Sequence, residues 1–164
     1  TLIMPDLPQI VAMRDQQLTL EDAICESALG AAKAQLEAGF PVSMPLTGLA
    51  PTELSARSAS GLADISDALM RVQFDASRSY DQILLMMMGR LQRVGGAILI
   101  TARLTMRTAD IAMRMQRTGV AVKIIWINDE PRETSDALTE RLKMAGIAVE
   151  VRDPRRIKAA RAKE

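Results

Sequence analysis

The chain has 164 residues, 48% of them apolar, with 21 basic and 20 acidic side chains, one cysteine and no histidine. That length suits one domain with a sizeable core. The absences exclude whole chemistries: no imidazole base, no Ser-His-Asp or Cys-His arrangement, no zinc knot built on several thiolates, and no disulfide within the chain. Phe40, Phe74, Tyr80 and Trp126 are the only aromatic residues, too few for a base-stacking platform, so no nucleic-acid partner is expected.

The net charge of +1 conceals an asymmetry. Residues 1–76 carry four basic and ten acidic side chains, and residues 77–164 carry seventeen and ten. In one domain these halves interleave, although a dipolar surface could steer a charged partner. No run of 18 apolar residues exists, and Ile83 to Met88 is the longest. One cysteine and no visible signal peptide read as a reducing, cytoplasmic setting. The abrupt apolar start, Leu2-Ile3-Met4 with no initiator methionine, reads as a fragment of a longer protein.

Periodicity and breakers predict, in chain order, a strand at 2–5, a helix at 20–38, a strand at 40–46, a loop at 47–59 and helices at 61–72 and 79–93. A strand at 97–101, a helix at 106–118, a strand at 120–127, a helix at 134–145 and a strand at 147–151 follow. Thr19 with Asp22 reads as a weak capping box for the first helix, and Thr105 as the cap of the helix after it. Three times an amphipathic helix runs into a glycine and then a β-branched strand, at Gly39, Gly119 and Gly146. Glycine there suits a helix end in the left-handed conformation. The beat fits βαβ crossovers, and the fold class is α/β: three layers, a mostly parallel sheet with helices on both faces. Residues 1–153 form that single domain, and 154–164 a basic tail. Most short basic tails are simply solvated, although Arg155-Arg156 and the residues after them could touch an acidic surface.

Ligands of open α/β sheets bind beyond the carboxyl ends of the strands. Those ends carry Asp6, Thr47-Gly48, Thr101-Ala102-Arg103 and Asn128-Asp129-Glu130, with Thr105 just beyond. No phosphate-cradling glycine motif follows a strand; Gly95-Gly96 precedes one and reads as a tight turn at the opposite edge. Asp6 stands where parallel sheets often place a metal ligand or phosphoryl acceptor. A receiver-like site would also need a lysine near the last strands, which is missing. An aspartate before Pro8 equally serves as a turn cap, the commoner role.

Other features have ordinary readings. Ile83 to Met88 with Leu91 forms a Met-rich surface that could dock a partner, but a helix apolar over much of its circumference is usually core. Cys25, among Glu21, Asp22 and Glu26, reads as structural, and Trp126 as a packing residue.

The region 19–153 resembles the C-terminal part of a bacterial domain-of-unknown-function family with a von Willebrand factor A-like fold, often encoded beside MoxR-type AAA+ ATPases. The resemblance rests on Asp22-Ala23-Ile24-Cys25-Glu26-Ser27-Ala28, Gly39-Phe40-Pro41-Val42, the stretch from Gly96 to Thr105, and Gly119-Val120-Ala121-Val122. The family's Arg-Pro-Tyr-x-x-Gly-Asp signature is absent from this sequence. The resemblance implies a cytoplasmic domain, an N-terminal membrane anchor outside the present sequence, and a protein partner, such as a MoxR-type ATPase. Such folds hold Mg²⁺ through Asp-x-Ser-x-Ser plus a Thr and an Asp from later loops. Here Asp6-Leu7-Pro8-Gln9-Ile10 keeps the aspartate and lacks both serines, and Arg103 stands where the later acid is expected. A guanidinium repels a divalent ion and can pair with Asp6 instead. The expectation is a non-catalytic interaction module without metal or cofactor. The alternative is a small enzyme or nucleotide-binding domain using Asp6, Thr101, Arg103 and Asp129; convergence of these side chains on one open pocket would favour it.

Overall fold

The computed structural model describes residues 1–10, 12–128 and 133–155. Six strands, β1 (Leu2–Pro5), β2 (Val42–Leu46), β3 (Thr52–Ala56), β4 (Gly96–Thr101), β5 (Ala121–Ile127) and β6 (Ala148–Arg152), form one sheet in the order β3-β2-β1-β4-β5-β6. All neighbours are parallel except β2 and β3. Five helices connect them: α1 (Arg14–Glu37), α2 (Leu62–Arg71), α3 (Tyr80–Met87), α4 (Met106–Arg117) and α5 (Glu133–Met144). α1 crosses β1, β2, β4 and β5 with α2 beside it, while α3, α4 and α5 pack side by side as the other layer. The chain winds from β1 towards β3 and then from β4 towards β6, so the strand order reverses between β1 and β4. That reversal creates a crevice at the carboxyl ends of β1 and β4.

The run Ala97-Ile98-Leu99-Ile100 of β4 is uninterruptedly apolar because both faces of the strand are covered: Leu99 and Ile100 have no exposed surface. Each such side chain contributes roughly 1.5–3 kcal/mol on burial. The predicted glycines at the helix ends have positive φ, +81° at Gly39, +89° at Gly119 and +78° at Gly146. On α3, Ile83, Leu84 and Met87 are buried and Met86 is the one apolar residue largely exposed, so most of the methionine-rich surface is core.

Three local expectations are corrected. The segment 47–59 contains β3 and the start of a 3-10 turn at Ala59–Gly61. β3 is an edge strand of mostly polar residues and owes its conformation to antiparallel pairing with β2. α1 begins at Arg14, not at residue 20, so Thr19 lies inside the helix, where its hydroxyl donates to the Asp15 carbonyl at 2.8 Å. The helix predicted at 79–93 is α-helical only to Met87 and tightens into a 3-10 turn at Met88–Arg93.

Two prolines shape the seam between β1 and β2. The Asp6 N–H donates to the Ile100 carbonyl and the Ser43 N–H to the Thr1 carbonyl. By alternation, Pro5 and Pro45 both direct their ring nitrogens at this seam, where neither has a proton to donate. The two strands are in register at a single pair, Leu2 with Ser43.

Candidate functional site

The crevice at the strand reversal is filled by the protein itself. Asp6, just past β1, is fully buried. Its Oδ2 accepts the Thr101 hydroxyl at 2.6 Å, and its Oδ1 accepts Nη2 of Arg103 at 2.9 Å. The Arg103 guanidinium also donates to the carbonyls of Pro8 and Gln9, each at 3.2 Å. Its backbone N–H donates to the Thr101 hydroxyl oxygen at 2.9 Å. A closed ring of bonds thus joins the turns after β1 and β4, and it ties down the segment that carries Pro8 and Gln9. Arg103 remains 39% exposed on its side chain against 1% for Asp6, so the guanidinium lids the carboxylate from the solvent side.

Burial pushes the Asp6 carboxyl above its ordinary range; the Thr101 hydroxyl and the Arg103 charge oppose this without cancelling it, and Asp81 adds to the rise. Beneath it, Tyr80 is buried and donates its hydroxyl to the Met4 carbonyl at 2.6 Å. Burial and the nearby Asp6 charge raise the phenol well above its usual value, which keeps it a donor.

α3 and α4 start beside this ring. Ser79 and Gln82 form a reciprocal capping box on α3, and the Thr105 hydroxyl accepts the Thr108 N–H at 3.0 Å as the predicted cap of α4. The Thr108 hydroxyl donates to Asp81 at 2.6 Å, which links the two helix starts.

Of the residues singled out in the sequence, Asp6, Thr101 and Arg103 converge on one another. Thr105 lies next to them as a helix cap. Thr47 stands apart, beyond β2, and its buried hydroxyl has no hydrogen-bond partner among the described residues. Asp129 falls outside the described residues. A cleft of about 410 Å³ opens elsewhere, between β2, β3 and the end of α2, lined by residues including Leu46, Gly48, Arg71, Gln73 and Asp75 and by none of the candidates. Sequence reasoning missed Tyr80 and Thr108. The Ser79-x-x-Gln82 spacing was a readable signal for the start of α3, whereas the Tyr80 contact, 76 residues away in the chain, left none.

Chemically, this arrangement holds a carboxylate with both oxygens occupied and no exposed surface. It is neither a nucleophile nor a metal ligand unless Arg103 leaves. Among the described residues, no group of three or more histidine, cysteine, aspartate or glutamate side chains is placed to hold a metal ion. No described helix is long and apolar enough to cross a membrane. Cys25 is inert: burial, then Asp22, Glu21 and Glu26, push its thiol up to about 12. Fold and site together define a three-layer α/β domain whose switch-point crevice is closed by an internal ion pair. Comparison with protein families and with curated proteins gives no match.

Proposed function

We propose that this chain is a non-catalytic protein-interaction domain of the von Willebrand factor A-like kind, with a degenerate metal site. In this reading it works on the cytoplasmic side of a membrane-anchored bacterial protein, with a MoxR-type AAA+ ATPase as its partner. The observation that carries the reading is the Arg103–Asp6 pair. In this reading the Arg103 guanidinium, 2.9 Å from Asp6 Oδ1, takes the place of the divalent ion that an intact site of this kind would hold. An interaction module needs no open crevice, whereas an enzyme or nucleotide-binding domain built on Asp6, Thr101 and Arg103 does.

The surroundings support the same reading. Met13, Leu49 and Met106, at the carboxyl-end rim of the sheet, are 79%, 73% and 54% exposed. In this reading these exposed apolar side chains are candidate contact points for the partner.

Two measurements on one preparation test this. Calorimetry with Mg²⁺ and Mn²⁺ is expected to give no binding in the micromolar range; such binding, abolished by Asp6→Ala, would overturn the degenerate site. Biolayer interferometry against the purified MoxR-type ATPase of the same genome, without nucleotide, is expected to show saturable binding that EDTA leaves unchanged and Leu49→Glu weakens. No binding to that ATPase would sink the partner assignment.

A further inference from the structure

β6 ends the sheet, and among the described residues no strand lies beyond its outer edge. The Asn128 N–H donates to the Arg152 carbonyl at 2.9 Å. In a parallel ladder the N–H and C=O of one residue point to the same side, so Arg152, Glu150 and Ala148 spend their backbone groups on β5. Val149 and Val151 therefore direct theirs outwards, beyond the last strand of the sheet. Edge strands are usually blunted by charged side chains, proline or a bulge; β6 has no proline and no bulge, its two charges are the opposite pair Glu150 and Arg152, and Val151 is 51% exposed.

The side chains restrict what can pair there. Glu150 and Arg152 share one face, where Glu150 accepts Lys123 at 2.7 Å and Nε of Arg152 at 2.6 Å. Val149 and Val151 share the other. A two-fold antiparallel pairing must place outward residues opposite outward residues, which leaves few registers. Centred on Glu150, it sets two carboxylates opposite each other, which is unfavourable. Centred on Val151, it sets Glu150 of each copy opposite Arg152 of the other, twice by symmetry. In that register Val151 meets its own twin and exchanges both backbone hydrogen bonds with it.

We propose that β6 is a self-association edge, through which two copies of this chain join antiparallel about a two-fold axis at Val151 into a continuous twelve-stranded sheet. The occupant is a second copy because the strand's charges complement themselves in this register.

Sedimentation velocity over a wide concentration range is expected to show a monomer–dimer equilibrium. Val151→Pro should abolish the dimer and leave the far-ultraviolet circular dichroism unchanged, because the proton it removes is not used among the described residues. Val151→Lys, which keeps that proton, should weaken the dimer by at least tenfold. Cross-linking fixes the register. Twin residues of a hydrogen-bonded antiparallel pair have Cα atoms about 5.5 Å apart, within disulfide reach. In a Cys25→Ala background oxidised with diamide, Val151→Cys should form a covalent dimer and Val149→Cys should not. A protein monomeric at every concentration, a dimer that survives Val151→Pro, or cross-linking at 149 in place of 151 would overturn the proposal. So would a dimer that forms only when residues 156–164 are removed, since the chain's own tail would then be the occupant.

Discussion

At the scale of single residues, Asp6 and Arg103 are unequal partners. The carboxylate is enclosed and the guanidinium is partly in water, so removing each has a different cost. Arg103→Met leaves a buried carboxylate without its cation and is expected to cost roughly 2 kcal/mol at neutral pH, less than for a fully enclosed pair. Asp6→Asn keeps the shape and frees Arg103 to solvent, and should cost less. The two differ in pH dependence. The folded-state pKa of Asp6 lies above its unfolded value, so its contribution is fully present below the unfolded pKa and is lost as pH rises through the folded one. Without Arg103 the folded pKa rises further. The stability gap between wild type and Arg103→Met should therefore narrow as pH falls towards the carboxylate range. Urea unfolding at several pH values checks this; a gap that stays constant or widens on acidification would contradict it.

At the scale of elements, the starts of α3 and α4 are what brace the sealed crevice. Ser79 and Thr105 each satisfy an N–H that would otherwise lack a partner. Thr105 also touches the Thr108 hydroxyl at 2.9 Å, and Thr108 reaches Asp81 on α3. Thr105→Ala is expected to cost about 1 kcal/mol for the cap alone. Because the Thr105–Thr108–Asp81 chain is continuous, the cost of Thr105→Ala combined with Asp81→Asn should fall short of the sum of the single losses. Thermal denaturation of the two single variants and the double variant checks this, and strict additivity would show that the helix starts are independent.

At the scale of the molecule, two ion pairs join the acidic first half to the basic second half. Asp6 pairs with Arg103 and Glu53 with Arg90, the latter through two bonds of 2.5 and 2.7 Å. The first of these pairs follows from the sheet order, which sets β1 beside β4. The same order grades the stability. β4 and β1 lie at the centre, sealed on both faces, while β3 and β6 are edges with exposed residues. Native-state hydrogen exchange should find the slowest amides in β4 and in the adjoining part of β5, and fast exchange in the outward-facing amides of β6. Protection of the Val151 amide that grows with protein concentration would follow from the dimer proposed above; uniform protection across the sheet would contradict the graded core.

Local chemistry was legible in the sequence wherever it was sufficient. The three helix–glycine–strand units follow from the single residue type that adopts positive φ without strain, and their glycines have that geometry. The strand ends, and with them the neighbourhood of Asp6 and Arg103, follow from apolar runs that only a doubly covered strand can bury. β3 was not legible, because Thr52-Glu53-Leu54-Ser55-Ala56 has no core-facing pattern of its own and is ordered by β2. Nor was the early start of α1, whose first turns have no side-chain cap at Met13. The absence of histidine and of a second cysteine is a property of the sequence alone, and it excludes imidazole bases and disulfides within the chain without a structure. That Asp6 is enclosed by a side chain 97 residues away, and that β6 is the last strand among the described residues, with Val151 on its outer edge, was decided only by tertiary structure. Burial and strand order are set by the whole chain, and no local window contains them.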